Sequence, residues 1–166
     1  MSVSLLEHPT DPSCPYVKME GRLLVPVHKC WDFLRVENWK KSMPQMDPFY
    51  EGVSVHGNFT KGKVNVVLCR KRTKRILAFG KRDLVFACVT DEPRADGTWI
   101  SGTVSVVTDS IPRCKGYTRA FQDSVAFYKP VENGSMTDLT IMCRIDLNDS
   151  GEDGQGGFIP MWLYVK

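Results

Sequence analysis

From Gly52 to Leu147 the chain reads as three β-hairpins in a row, and that succession limits its fold more than any other feature. GVSVHGNFTKGKVNVVLCR (52–70) turns near Lys61-Gly62-Lys63. RDLVFACVTDEPRADGTWISGTVSVVT (82–108) turns at Pro93-Arg94-Ala95-Asp96-Gly97. GYTRAFQDSVAFYKPVENGSMTDLTIMCRIDL (116–147) turns at Glu132-Asn133-Gly134-Ser135. The last strand alternates cleanly. Leu139, Ile141, Cys143, Ile145 and Leu147 face one way; Asp138, Thr140, Arg144 and Asp146 face the other. An antiparallel sheet of this kind has one apolar face, and something must cover it.

The remaining segments supply two covers. Residues 1–15 carry Pro9, Pro12 and Pro15 and are expected to be irregular, so the domain is expected over 17–166 after an irregular 1–16. Residues 17–25 suit a strand. Residues 27–43 place Val27, Trp31 and Leu34 on one helical stripe, with Cys30 and Phe33 beside it and a break expected near Asn38. MPQMDPFY reads as a turn-rich crossing. One such helix is too short for six or seven strands. The second cover is GGFIPMWLYVK (156–166), where paired glycines, Pro160 and an apolar run look like the start of a helix. About five large apolar side chains buried there would contribute roughly 10 kcal/mol, comparable to a whole domain's stability. This helix is therefore expected to continue past Lys166, with 1–166 a fragment that stops early.

Composition excludes several classes. With 22 basic and 19 acidic residues the net charge is +3, too small to imply a polyanion partner for the whole molecule. No apolar run reaches the ~18 residues of a membrane span, and MSVSLLEHPTDP has no signal-peptide pattern. The six cysteines are scattered without a CxxC pair, and Cys69, Cys88 and Cys143 sit in apolar runs as small hydrophobes. That usage reads as reduced thiols of a cytoplasmic protein, without structural zinc or another cofactor. There is no GxSxG and no HExxH. The three histidines do not form a catalytic arrangement with a cysteine. The chain therefore reads as noncatalytic.

Four stretches in order resemble the START, or StAR-related lipid-transfer, family. FGKRDLVFACV resembles its PRDF stretch, with Arg82-Asp83 opening a central strand. DGTWISGTVSVVTDSIP, then KGYTRA with Gly116 and Arg119, resembles the strand, turn and segment that follow. LTIMCRIDL resembles the last strand. GGFIPMWLYVK, with Pro160 and Trp162, resembles the start of the C-terminal helix. The resemblance covers the chain from about Val17 onward. It implies an α+β helix-grip fold, in which a curved antiparallel sheet wraps a C-terminal helix and one lipid fills the hollow between them. It places Val67, Cys69, Leu84, Phe86, Cys88, Ser101, Thr103, Leu139, Ile141, Cys143 and Trp162 on the cavity wall.

Two placements stay open at this level. Periodicity alone cannot choose between Leu84, Phe86, Cys88 and Val85, Ala87, Val89 as the inner set. For 99–107, plain alternation favours Ile100, Val104 and Val106 inside and Ser101, Thr103 and Ser105 on the wet convex face. A bulge would reverse that. Sterol-binding relatives set an arginine six residues after the RD arginine, facing an acid on a neighbouring strand. Here those positions hold Cys88 and Cys69, so the pair is missing and the cavity has less head-group selectivity built in. Arg82 and Asp83 read as a strand-end pair that orders the hairpin, and Arg119 as a structural partner for an acid.

From Thr60 to Arg82 the chain has nine basic residues and no acidic one. Its centre, RKRTKR, is expected in a loop between strands. Arg70, Lys71, Arg72, Lys74 and Arg75 are candidates for peripheral docking to an anionic membrane, where each adds ~1 kcal/mol. No aromatics are interleaved to stack bases, which argues against nucleic acid. The resulting expectation is lipid binding and intracellular transfer of one hydrophobic ligand, whether sterol, phospholipid or another lipid. Two alternatives are a lipid-sensing module of a larger protein and a cyclase- or hydrolase-like enzyme of the same fold superfamily.

Overall fold

The structure is a computed structural model that describes residues 1–7, 15–75, 80–91 and 93–148. The described strands are β1 (Ser2–Leu6), β2 (Tyr16–Leu23), β3 (Tyr50–Lys61), β4 (Val64–Thr73), β5 (Arg82–Thr90), β6 (Trp99–Ser105), β7 (Thr118–Val131) and β8 (Met136–Asp146). They form one sheet in the order β1-β2-β8-β7-β6-β5-β4-β3. Neighbours in this order pair antiparallel. One parallel contact departs from this. Past the end of β6, the first residues of β7 come beside β5, Arg82 opposite Thr118 and Leu84 opposite Ala120.

Three tight turns set this register. Gly62 (φ 61) and Gly97 (φ 78) occupy left-handed backbone that side chains disfavour. At the second turn Asp96 accepts from the Thr98 amide at 2.9 Å, and a Cβ on Gly97 would lie 3.0 Å from Pro130 Cγ. The third passes through Glu132, Asn133 and Gly134, all at positive φ.

Helices α1 (Val27–Leu34) and α2 (Trp39–Met46) carry the chain from β2 to β3, which lies at the other end of the sheet. A 3-10 turn at Val36–Asn38 separates them, at the expected break. The second helix continues beyond Met43, through Pro44. The proline withholds its own amide bond and crowds the carbonyl four residues back, but Asp47 N still donates to Met43 O at 2.8 Å to close the last turn. Packing falls into two clusters on one face of the sheet. Val36 and Trp39 cover Val67, Cys69, Leu84, Phe86, Cys88, Ala120 and Leu147. Cys30 and Trp31 cover Ala126 and Tyr128, with Leu139 and Ile141 against them.

The start of the chain differs from expectation at residues 2–6. Ser2–Leu6 is a strand, paired from Ser2↔Glu20 to Leu6↔Tyr16. The first proline comes only at position 9, so no amide in 2–6 is removed from the ladder, and β2 would otherwise present unpaired backbone groups. The stretch 156–166, with Trp162, lies outside the described residues.

Candidate functional site

Residues directly opposite in an antiparallel pair point to the same face. The registers therefore trace rows across the inner face, the one α1 and α2 cover. One row runs Val67, Cys88, Thr103, Ser124, Cys143, Val17. The next runs Thr90, Ser101, Ala126, Ile141, Met19, and a third joins Trp99, Tyr128 and Leu139. Cys69 stands opposite Phe86. The structure thus brings ten of the eleven expected wall residues onto one surface, Val67, Cys69, Leu84, Phe86, Cys88, Ser101, Thr103, Leu139, Ile141 and Cys143. The eleventh, Trp162, lies outside the described residues.

Both open placements resolve at this surface. Leu84, Phe86 and Cys88 are the inner set. On β6 plain alternation points the wrong way. Ser101, Thr103 and Ser105 lie inside, and Val104 is 50% exposed opposite Ala87. The physical reason is that each inner hydroxyl has a hydrogen-bond partner on this face, so polar side chains are tolerated there. Thr103 Oγ1 and Ser124 Oγ are 2.6 Å apart, Ser101 Oγ and Tyr128 Oη 3.3 Å, and Ser105 Oγ donates to Gln122 O at 3.0 Å.

Aromatic rings close one end of the wall. Trp31 packs on Trp99 at 4.7 Å and edge-on to Tyr128 at 5.5 Å, and Trp39 sits edge-on to Phe86 at 5.6 Å. Between these rings, Leu34 and Val36 above and Cys88, Ser101, Thr103 and Tyr128 below, there is a hollow of about 40 Å³. Past it the inner face continues through half-buried Ser124, Ile141 and Met19. Cys69 and Cys88 approach to 3.8 Å between sulfurs. The Cys69 contact and burial push the Cys88 thiol far up, so it stays protonated.

Burial pushes the Tyr128 phenol up to about 12, outweighing the Ser101 contact that lowers it. A phenol whose folded value exceeds its ordinary 10 stabilises the fold fully below pH 10 and loses that contribution as pH rises toward 12. The expected loss between pH 10 and 12 is about 2–3 kcal/mol. Urea unfolding followed across that range, with Tyr128→Phe alongside, checks it. An equally steep decline in the variant would mean Tyr128 is not the group responsible.

The outer face holds a buried ion cluster. Asp83 Oδ1 and Oδ2 accept from Arg119 Nε and Nη2 at 3.1 and 3.0 Å, and Asp83 lies 3.6 Å from Arg70 Nε. Arg119 therefore pairs with an acid, as expected, but Asp83 and Arg82 do not pair with each other. They are consecutive in a strand, so they point to opposite faces. Arg82 instead donates to Leu147 O at 2.7 Å.

The basic run does not form one loop. Arg70 to Thr73 belongs to β4, so successive side chains alternate. Arg70 turns outward to Asp83 and the Pro112 carbonyl. Lys71 turns the other way to Asp47 at 2.6 Å. Arg72, Lys74 and Arg75 are exposed. The run looked continuous because the acids that Arg70, Lys71 and Lys81 meet, Asp83, Asp47 and Glu51, lie 13, 24 and 30 residues away in sequence (83 minus 70, 71 minus 47, 81 minus 51). Among the described residues no cluster of three His, Cys, Asp or Glu side chains is placed to hold a metal, and no helix is long and apolar enough to cross a membrane. His28 and His56 are both exposed.

No protein-family model and no curated protein matches this sequence. Solved structures do. Human StAR-related lipid transfer protein 5 superposes with a TM-score of 0.75 at 20% identity, over 98% of this chain and 71% of that one. The lipid transfer and protein localization domain of human StarD13 (DLC2) gives 0.73 at 18%, over 99% and 74%. The chain has the START fold. A STAR-related lipid transfer protein from Xanthomonas axonopodis agrees, at 0.62 and 18%, over 98% and 88%. At these identities the likeness is one of fold, and a fold does not fix a ligand, so the site must be argued from its own side chains.

Reading the sequence missed Ser124, Ala126 and Tyr128 on β7, and Trp31, Trp39 and Trp99 around the hollow. The β7 residues had a usable signal. A hairpin turning at Glu132–Ser135 pairs Tyr128 with Leu139, so an inward Leu139 makes Tyr128, Ala126 and Ser124 inward too. Trp99 shares the face of Ser101 and Thr103 by alternation, whereas Trp31 and Trp39 had no signal, because which part of the sheet a helix crosses depends on the strand order.

Proposed function

We propose that this chain is a noncatalytic lipid-binding and lipid-transfer domain that holds one hydrophobic ligand against the inner face of its START-fold sheet. The observation that carries the reading is the continuous inner wall. From Val67 through Cys88, Thr103, Ser124 and Cys143 to Val17 it runs across six neighbouring strands without an ionisable side chain other than thiols. The solved neighbours named for lipid transfer support the same reading. A lipid-sized ligand occupies ~300 Å³ or more, far beyond the 40 Å³ hollow. The ligand therefore extends past Trp31 along Ser124, Ile141 and Met19. Exposed Arg72, Lys74 and Arg75 at the end of β4 supply the contact with an anionic bilayer during exchange.

Native mass spectrometry of the chain purified from cells tests the proposal, together with transfer of a labelled lipid between donor and acceptor vesicles. The expected result is one lipid adduct per chain and transfer that quickens when both vesicles contain phosphatidylserine. A ligand-free chain that moves no lipid would overturn it. Transfer indifferent to phosphatidylserine would remove the bilayer contact alone.

A further inference from the structure

We infer that the ligand is an uncharged lipid whose polar end is a hydroxyl or carbonyl oxygen, received by the hydroxyl pairs Thr103–Ser124 and Ser101–Tyr128 on the inner wall. This rests on the lipid-binding reading above and names the chemistry of its ligand.

The argument starts from a count of protons. A hydroxyl carries one donor proton and two acceptor lone pairs. Thr103 and Ser124, 2.6 Å apart, spend one proton on each other. Ser101 and Tyr128, 3.3 Å apart, spend one as well. Four hydroxyls bring four protons, so each pair keeps one O–H with no acceptor among the described residues. The other inner hydroxyls are committed to backbone. Ser105 donates to Gln122 O at 3.0 Å and accepts from Gln122 N at 2.6 Å, and Thr90 donates to Asn65 O at 3.5 Å. Donors left without partners on a half-buried wall are costly unless a ligand or water accepts from them.

The two pairs are neighbours. Ser101 and Thr103 are two residues apart on one face of β6, roughly 6–7 Å along the strand. The two oxygens of one ester can sit between them and accept one bond from each pair, and a lone hydroxyl or carbonyl oxygen accepts from one pair. On either side the wall is apolar or soft. Cys88 and Cys143 flank the Thr103–Ser124 pair, and Ala126 and Ile141 follow Ser101 in its row.

Among the described residues no unpaired charge faces this wall to answer a charged head group. The inward side chains of β5 from Leu84 to Thr90, of β6, and of β7 from Ala120 to Tyr128 are all uncharged. Arg82, at the far end of β5, is held by the Leu147 and Gly80 carbonyls at 2.7 and 3.0 Å. Lys71 and Asp47 neutralise one another. Arg35 at the rim of the hollow is exposed and faces Asp32 at 3.6 Å. A phosphate or carboxylate on this wall would lose its hydration with no counter-ion in exchange, a penalty of several kcal/mol per ion. A neutral oxygen loses far less and gains a donor.

The test compares lipids that share a skeleton and differ in the polar end. The full 166-residue chain is titrated, by quenching of its tryptophan fluorescence, with cholesterol, cholesterol sulfate and cholestane, and separately with dioctanoylglycerol and dioctanoyl phosphatidic acid. The expected result is that the neutral, oxygen-bearing member of each series binds at least about tenfold more tightly than its anionic partner. Thr103→Val/Ser124→Ala is expected to weaken that neutral ligand by about tenfold. The same variant should leave cholestane, which offers no oxygen, unchanged. Should the double variant fail to fold by circular dichroism, Ser101→Ala/Tyr128→Phe, which removes both hydroxyls of the other pair, replaces it with the same expected direction. Anionic partners binding as well as neutral ones would overturn the inference while leaving the lipid-binding reading intact. So would hydroxyl variants that bind the neutral ligands unchanged. Failure of all five lipids to bind would overturn both.

Discussion

Asp83→Ala is expected to lower the free energy of unfolding by about 3–5 kcal/mol, a large part of the 5–15 kcal/mol typical of a domain. Asp83 is 0% exposed and neutralises Arg119, itself buried. Removing the carboxylate leaves a guanidinium out of water with the Ile111 carbonyl, at 3.3 Å, as its main remaining partner. The loss spreads to the loop that covers this part of the outer face. Asp83 also accepts from the Cys114 amide at 3.4 Å, and Ile111 is 2% exposed beneath the same loop. Arg70, anchored to Pro112, loses its acidic neighbour. Urea unfolding followed by tryptophan fluorescence measures the effect. Asp83→Leu/Arg119→Met should be milder than the single change, because it removes both charges rather than orphaning one. A single variant within 1 kcal/mol of the parent would show that water reaches Arg119. Because Asp83 points away from the inner wall, lipid affinity of the folded fraction is expected to be unchanged.

That separation of faces marks where the sequence was legible and where it was not. The hairpins were readable because local chemistry makes them. Gly62, Asp96-Gly97 and Asn133-Gly134 demand turns, and the flanking strands alternate. The helix break at Val36–Asn38 was readable for the same reason. The face of β6 was not. Sorting by polarity assumes that the buried face is the apolar one, which holds for a dry core. Here the inner face is a wall that carries hydroxyls, so Ser101 and Thr103 go in and Val104 goes out. The destination of the basic run was equally hidden, since Asp47 and Asp83 reach it only through the folded sheet. The strand at Ser2–Leu6 was missed because prolines just downstream were allowed to speak for residues they do not constrain.

The second large effect is expected at Cys88, where the resemblance to sterol-binding START domains would call for an arginine. Cys88→Arg should cost about 3–5 kcal/mol, because its neighbours offer no acid to pair with. Cys88 is 4% exposed, packed with Val67, Cys69, Leu84 and Phe86, and the nearest carboxylate that touches its titration is Glu37, exposed on the 3-10 turn. Part of that loss is volume rather than charge, and Cys88→Met isolates it, since overpacking alone typically costs about 1–3 kcal/mol. The charge part should be recoverable. Cys69 Sγ lies 3.8 Å from Cys88 Sγ, so Cys69→Asp in the same chain sets a carboxylate within reach of the new guanidinium. The double variant should therefore unfold at higher urea than Cys88→Arg alone, even though Cys69→Asp by itself places an unpaired charge at a 0% exposed position and destabilises as well. A favourable coupling between the two substitutions is the measurement that matters, taken from a double-mutant cycle. Additive losses would mean that positions 69 and 88 do not face one another across the wall, and the inner row drawn through Cys88, Thr103 and Ser124 would have to be redrawn.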